Sequence, residues 1–431
     1  MEKIFKDNRD GTLTVTASYT QEEYVPVLNK VARHLAENVE IKGFRKGKAP
    51  LDRAMAYIKN EDMYDGMVKK LINRDFPTLL DGYEEAMNVA NIQPSLNVDY
   101  DEKLKVYSFI YSFVFLPKAE ISKYTGFNIA SEVKEVTAEE IDAKIADLRK
   151  DQAELAPSED ASKMGDTVNI DFTGFIDNKP FDGGSAKSYD LVLGSNSFIP
   201  GFEQELVGLK EGEHKSFLIT FPENYVAALA GKEARFEVVV NSVKVQLLPE
   251  ADDEFAKSVA KYDAETMEDL KTKISAEIKE THETEARSHK LEEILTAVEK
   301  ESTFTIAERY LSANADSINK QKLEQIKQYG LDEKEYLQLV GMTHEQFVEE
   351  AKKTAEKDAK VFAIFRAVSA DEKIELSDDD VAQAFGGKEK YAEILAAIAK
   401  DGEQEQNNRY LEQVKSNILN HKIEEFLITH N

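Results

Sequence analysis

The 431-residue chain has no cysteine and no tryptophan. Without cysteine it has no disulfide, no thiol nucleophile and no cysteine-based zinc site. Proline is absent after Pro249, so nothing in that long carboxy-terminal stretch forces a helix to break. No apolar run reaches the ~18 residues a membrane helix needs, and the opening Met1–Asp7 lacks the apolar core of a secretory signal. A soluble, cytosolic protein with no membrane partner is therefore expected. Positive charge is also scarce: 55 Lys and Arg stand against 82 Asp and Glu, a formal net charge of −27. That excess favours solubility and argues against wrapping nucleic acid, DNA included, so any polyanion contact must be local.

One stretch runs against the acidic background. Between Ile41 and Leu51 lie Lys42, Arg45, Lys46 and Lys48 with no carboxylate among them. Gly43, Gly47 and Pro50 mark the segment as a loop, because they favour turns and interrupt helices. Phe44 beside Arg45 and Lys46 makes a knob that can bury an aromatic while pairing cations with phosphate or carboxylate. A nucleotide-binding P-loop needs G-x-x-x-x-G-K-[ST]. Here the spacing is one residue short and Ala49 stands where the hydroxyl is needed, so no nucleotide cofactor is expected.

In chain order, residues 1–20 read as a hairpin turning at Asp10-Gly11, with alternation through Leu13, Val15 and Ala17. Thr20 caps a helix striped by Tyr24, Leu28, Val31 and Leu35. A helical region after Pro50 runs to about Asn91 with a break near Lys59–Asp62, and strands follow near 96–100 and 105–115. Phe127–Val133 reads as a strand, and Thr137 with Glu140 forms a capping box for a helix to about Leu155. From Lys163 to Leu247 short alternating runs and glycine turns indicate a compact β-rich domain. Helical patterns then cover about 265–300, 305–329, 343–369, 377–399 and 404–427. The polar middle of the first suggests a span between two packed ends. His282, Glu285 and His289 share roughly one helix face there, but no fourth ligand is visible and no metal is expected.

Five segments of the β-rich domain follow in order: Asn169–Gly174, Pro180–Gly184, Tyr189–Gly194, Phe198–Phe202 and Phe221–Tyr225. Their order and spacing resemble the FKBP class of peptidyl-prolyl isomerases. The resemblance implies a proline pocket formed by Phe172, Phe181, Asp182, Ile199, Phe202, Tyr225 and Phe236, with Tyr189 and Phe198 at its edge. It departs at the floor, where many members have tryptophan and this chain has Phe202. Rotating an X–Pro bond needs no acid, base, metal or nucleophile, so the pocket requires no cofactor.

The octet Gly43–Pro50 resembles the G-F-R-x-G-K-x-P signature of the trigger factor family of ribosome-associated chaperones. Its place ahead of an FKBP-like domain and a proline-free helical tail extends the resemblance over essentially the full length. The resemblance implies a multidomain α+β chain. A ribosome-binding domain would span 1–118, a strand and helix at 119–155 would pack with the tail, an isomerase domain of antiparallel sheet plus helix would span 156–248, and an elongated all-α chaperone domain would span 249–431. It also implies the partners. Gly43, Phe44, Arg45, Lys46, Gly47, Lys48 and Pro50 would form the contact with protein and rRNA of the large ribosomal subunit near the exit tunnel. The helical arms would hold nascent and unfolded polypeptides without ATP, and the sequence leaves self-association off the ribosome open, a homodimer included. Two other readings stay open on the sequence: a free isomerase that never docks on ribosomes, and a holdase whose isomerase fold is inactive.

Overall fold

A computed structural model of the chain describes residues 1–222, 225, 229–400 and 404–431. The chain divides into two compact bodies, one of residues 1–128, 293–325 and 345–431, the other of residues 129–292 and 326–344.

The first body begins with β1 (Glu2–Asp7) and β2 (Thr12–Tyr19), then α1 (Gln21–Ala36), α2 (Leu51–Met55) and α3 (Asn60–Asp75), then β3 (Ser95–Asp101) and β4 (Val106–Val114). The strands form one antiparallel sheet in the order β1-β2-β4-β3. Alternation along β2 sends Leu13, Val15, Ala17 and Tyr19 to one face, where all four are fully buried with Tyr24, Met67, Leu71 and Phe109. The Tyr19 hydroxyl donates to Asp75 (2.9 Å), tying the end of β2 to the end of α3. The helical region expected to run to Asn91 stops at Asp75. Pro77 has no N–H to extend the helix, and the chain continues in short 3₁₀ turns at Phe76–Thr78 and Ala86–Asn88.

The expected strand at Phe127–Val133 does not form. The strand of this connector is instead β5 (Lys118–Ile121), because only that segment finds a partner in the described structure, at Ser302–Thr305. The helix capped by Thr137 and Glu140 is α4 (Ala138–Asp151), with both capping-box bonds made. Next come β6 (Glu154–Ser158), β7 (Thr167–Ile176), β8 (Lys179–Val192), α5 (Phe202–Leu206), β9 (His214–Thr220) and β10 (Glu233–Leu247). All five strands pair antiparallel, β6-β10-β7-β8 with β9 on β10. The β7–β8 hairpin turns at Asp177-Asn178, both with positive φ (53° and 61°), which suits a two-residue mirror-image turn.

α6 (Asp253–Ser258) and the 34-residue α7 (Met267–Lys300) follow. α4 packs on them: Ile145 shares a buried cluster with Phe255, Leu270 and Ile274, and Arg149 donates to the Pro249 carbonyl (2.7 Å). β11 (Ser302–Thr305) precedes α8 (Glu308–Gln328), α9 (Glu333–Val340), α10 (His344–Glu372), α11 (Asp378–Ala384), α12 (Lys388–Lys400) and α13 (Gln404–Thr429). α9 has no counterpart in the sequence reading. The single helix expected at 377–399 is two, because Gly386 and Gly387 both adopt positive φ between them.

Candidate functional site

Aromatic side chains from β7, β8, β10 and the 196–200 loop converge on a pocket of about 840 Å³. Phe172 on β7 and Phe236 on β10 share one face of the sheet, since Phe236 pairs across from Gly174, two residues along from Phe172. A Cβ at Gly174 would lie 2.5 Å from the Phe181 ring and 2.7 Å from the Phe236 ring, and one at Gly184 would lie 2.5 Å from Phe181. Both glycines therefore make the room in which Phe181 stands. Its ring meets Phe221 and Phe236 edge to face, at 5.8 and 6.0 Å.

Of the residues expected at the pocket, Phe172, Phe181, Asp182, Ile199, Tyr225 and Phe236 all line it. Phe198, expected at the edge, lines it too. Phe202, expected as the floor, is fully buried and lies one ring layer behind, with Phe198 stacked on it at 4.4 Å and 28°. Tyr189 does not line the recess but touches the rings of Phe172 and Phe198, at 6.1 and 5.5 Å. Tyr225 is exposed, its ring 4.9 Å from Phe221. Glu223 and Asn224 of that segment lie outside the described residues. Asp182 is the one carboxylate among the described lining residues. Such a site can take an apolar ring and offer a little polarity at its rim; nothing in the lining is arranged to pass a proton.

Glu203 holds one wall in place, and the sequence reading assigned it no role. Its side chain is buried, and its carboxylate accepts N–H groups from Gly194 (2.6 Å), Asn196 (3.2 Å), Ser197 (3.0 Å) and Phe198 (3.4 Å), with the Ser195 hydroxyl at 3.2 Å. Burial pushes the carboxyl upward. The N–H bonds from Gly194, Asn196 and Phe198 and the Ser195 hydroxyl outweigh it, so the group stays below the usual carboxylate range. The Phe198–Pro200 wall is thus tied to α5 through one buried charge. Gly184 and Phe221 also line the pocket, and Gly174 lies against the Phe181 and Phe236 rings. They stand inside the segments already singled out, but only the ring contacts show their part.

The basic loop is built by two turns: Phe44 N–H donates to the Ile41 carbonyl (3.0 Å) and Lys48 N–H to that of Arg45 (2.9 Å). Gly47 has φ +70°, and a Cβ there would sit 2.7 Å from the Glu37 carbonyl oxygen. Gly43 also has positive φ, and Pro50 opens α2. Phe44 is 38% exposed, and Arg45, Lys46 and Lys48 are all exposed.

In the helical segments, Tyr329, Leu339, Val340, Phe362 and Tyr410 are exposed apolar side chains. No described helix is long and apolar enough to cross a membrane, and among the described residues no His, Asp and Glu group could hold a metal. His282 is a structural tie, with Nδ1 3.0 Å from the Lys134 carbonyl and Nε2 3.2 Å from Glu140.

Family models match along the whole chain. The bacterial trigger factor protein model matches residues 1–148, the FKBP-type peptidyl-prolyl cis-trans isomerase model 158–241, and the trigger factor C-terminus model 266–429. A solved structure of the trigger factor chaperone, 22% identical, aligns over 100% of this chain and 99% of its own with a TM-score of 0.46. Trigger factor of Halothermothrix orenii is 35% identical over 420 residues, 94% of this chain and 93% of the relative. That of Caldicellulosiruptor bescii is 30% identical over 426 residues, 98% and 95% of the two chains. With relatives at this identity over nearly the full length, and an isomerase model over the aromatic pocket, the chain belongs to the bacterial trigger factor family and carries an FKBP-type peptidyl-prolyl cis-trans isomerase domain.

Proposed function

We propose that the chain is a ribosome-docked chaperone that catalyses X–Pro isomerisation. Residues 1–118 anchor it beside the exit tunnel through Phe44, Arg45 and Lys46. Residues 119–155 and 249–431 supply the helices that shield emerging apolar segments, and 156–248 form the inserted isomerase. The observation that carries the catalytic part is the pocket itself: an aromatic recess of about 840 Å³ with Asp182 as the single carboxylate among its described lining residues.

An amide resists rotation by roughly 18–20 kcal/mol, because twisting destroys its resonance, and uncatalysed X–Pro bonds turn over in about 10–100 s. A recess that accepts the prolyl ring and strips water from the carbonyl favours the twisted amide over the planar one. Phe198 stacked on Phe202 presents an aromatic face where the chain has no tryptophan to offer. Holding unfolded chains uses many weak contacts to exposed apolar side chains, of which Leu339 and Tyr329 are candidates. No step calls for a nucleotide.

Two assays test the reading. In a proline-peptide isomerisation assay the chain accelerates the slow phase; a rate at background leaves a holdase. In sucrose-cushion sedimentation the chain pellets with ribosomes, and replacing Phe44, Arg45 and Lys46 by alanine releases it. Pelleting unaffected by that triple change refutes the anchor.

A further inference from the structure

The octet does not end the cationic surface. α2 follows it directly, with Arg53 and Ala54 N–H groups both donating to the Pro50 carbonyl at 3.0 Å. Ala54 is fully buried and seats the short helix. Helical side chains lean toward the amino terminus, and Arg53, on the first turn, leans back over the loop. Its guanidinium carbon lies 5.8 Å from the centroid of the Phe44 ring. The guanidinium therefore lies within cation–π reach of the ring, and both are exposed.

Local charge sets this surface apart from the acidic chain around it. Among residues 1–100 the ion pairs join Met1 to Glu23, His34 to Glu37 and Arg74 to Asp75. Among the described residues, none reaches Lys42, Arg45, Lys46, Lys48 or Arg53. From Ile41 to Asn60 the only carboxylate is Asp52. On a chain with a net charge of −27, five cations without an ion pair, in the loop and short helix that also carry one exposed ring, suit a dense array of negative charge. RNA offers that array, together with base faces that stack on aromatic and guanidinium planes. Arginine adds what lysine lacks, a planar fork that grips phosphate while its face rests on a ring.

We infer that Arg53 is a further docking residue. It holds the Phe44 ring in its outward position and pairs with a ribosomal RNA phosphate. The inference rests on the ribosome-docking reading and extends its contact surface from the octet into α2.

The test measures the full chain's affinity for ribosomes by sedimentation at several salt concentrations, for the natural sequence, Arg53→Ala, Arg53→Lys, Phe44→Ala and Phe44→Ala/Arg53→Ala. Isomerase rates and circular dichroism check that each variant is folded. Losing one charge-assisted phosphate contact weakens binding about tenfold and makes the log–log salt slope shallower by about 0.7–0.9. Arg53→Lys keeps the slope but recovers only part of the affinity. The double variant loses less than the sum of the two single changes, because ring and guanidinium act as a pair. If Arg53→Ala binds like the natural chain, the inference is wrong while the docking reading stands. Weaker binding with an unchanged slope assigns the contact to a ribosomal protein and overturns the RNA assignment. A natural chain that stays in the supernatant overturns the docking reading and this inference together.

Discussion

Replacing Glu203 by glutamine keeps the side chain's shape and removes its charge. In the native loop one carboxylate oxygen accepts Gly194 and Asn196 N–H, and the other accepts Ser197 and Phe198 N–H and the Ser195 hydroxyl. Glutamine has one carbonyl oxygen, so its NH₂ must face one of those sets, donor against donor. A buried donor left without an acceptor costs about 1–3 kcal/mol, and bonds to a charged group are each worth about 1.5–3. Allowing for relaxation, Glu203→Gln is expected to destabilise the isomerase domain by about 2–4 kcal/mol. It should also loosen the Phe198–Pro200 wall. Urea unfolding followed by tyrosine signals, since tryptophan is absent, measures the first effect. The isomerase kcat/KM, expected to fall about tenfold or more, measures the second. Because the folded Glu203 carboxyl is held below its ordinary value of 4.5, its stabilisation is complete above that pH. It is lost as pH falls through the lower, folded value. The stability gap between the natural chain and the variant should therefore narrow in acid. Equal unfolding midpoints and equal kcat/KM at neutral pH would refute the role given to Glu203.

Three further outcomes are expected. Phe198→Ala should cost mainly activity, because it removes the lining ring, whereas Phe202→Ala should cost mainly stability, about 3–5 kcal/mol, because that ring is fully buried; comparing kcat/KM with unfolding midpoints for the pair separates the two. Gly184→Ala should press a Cβ into Phe181, whose ring lies 2.5 Å from that position, lowering isomerase activity at a stability cost of about 1–3 kcal/mol and leaving ribosome sedimentation unchanged. Gly47→Ala should weaken sedimentation more than Gly43→Ala does, since a Cβ at Gly47 meets the Glu37 carbonyl at 2.7 Å while Gly43 has open space around it.

Much of the molecule was legible because it is set by short-range rules. Alternation in Leu13–Tyr19 needs only a period of two, and the Thr137–Glu140 capping box needs only three residues of separation. Helices after Pro249 follow from apolar spacing with no proline to stop them. The chemistry of Gly43–Pro50 is likewise written in its residue types, four cations and an aromatic without a carboxylate.

Tertiary structure decided what those rules leave open. The strand at Lys118–Ile121 exists because Ser302–Thr305 comes to pair with it, and Phe127–Val133, where Asn128 takes a positive φ, finds no such partner among the described residues. Phe198 rather than Phe202 faces the pocket because one ring stacks over the other, an ordering set by the 196–200 loop and not by spacing in the chain. Nothing in the sequence marks Glu203; the loop folded over it makes it a buried tie. Arg53 joins Phe44 only once Pro50 turns the chain into α2. Local periodicity and composition fix most of the helices and the hairpin strands. Which side chain covers which depends on strand register and loop path, and those are settled only when distant segments pack.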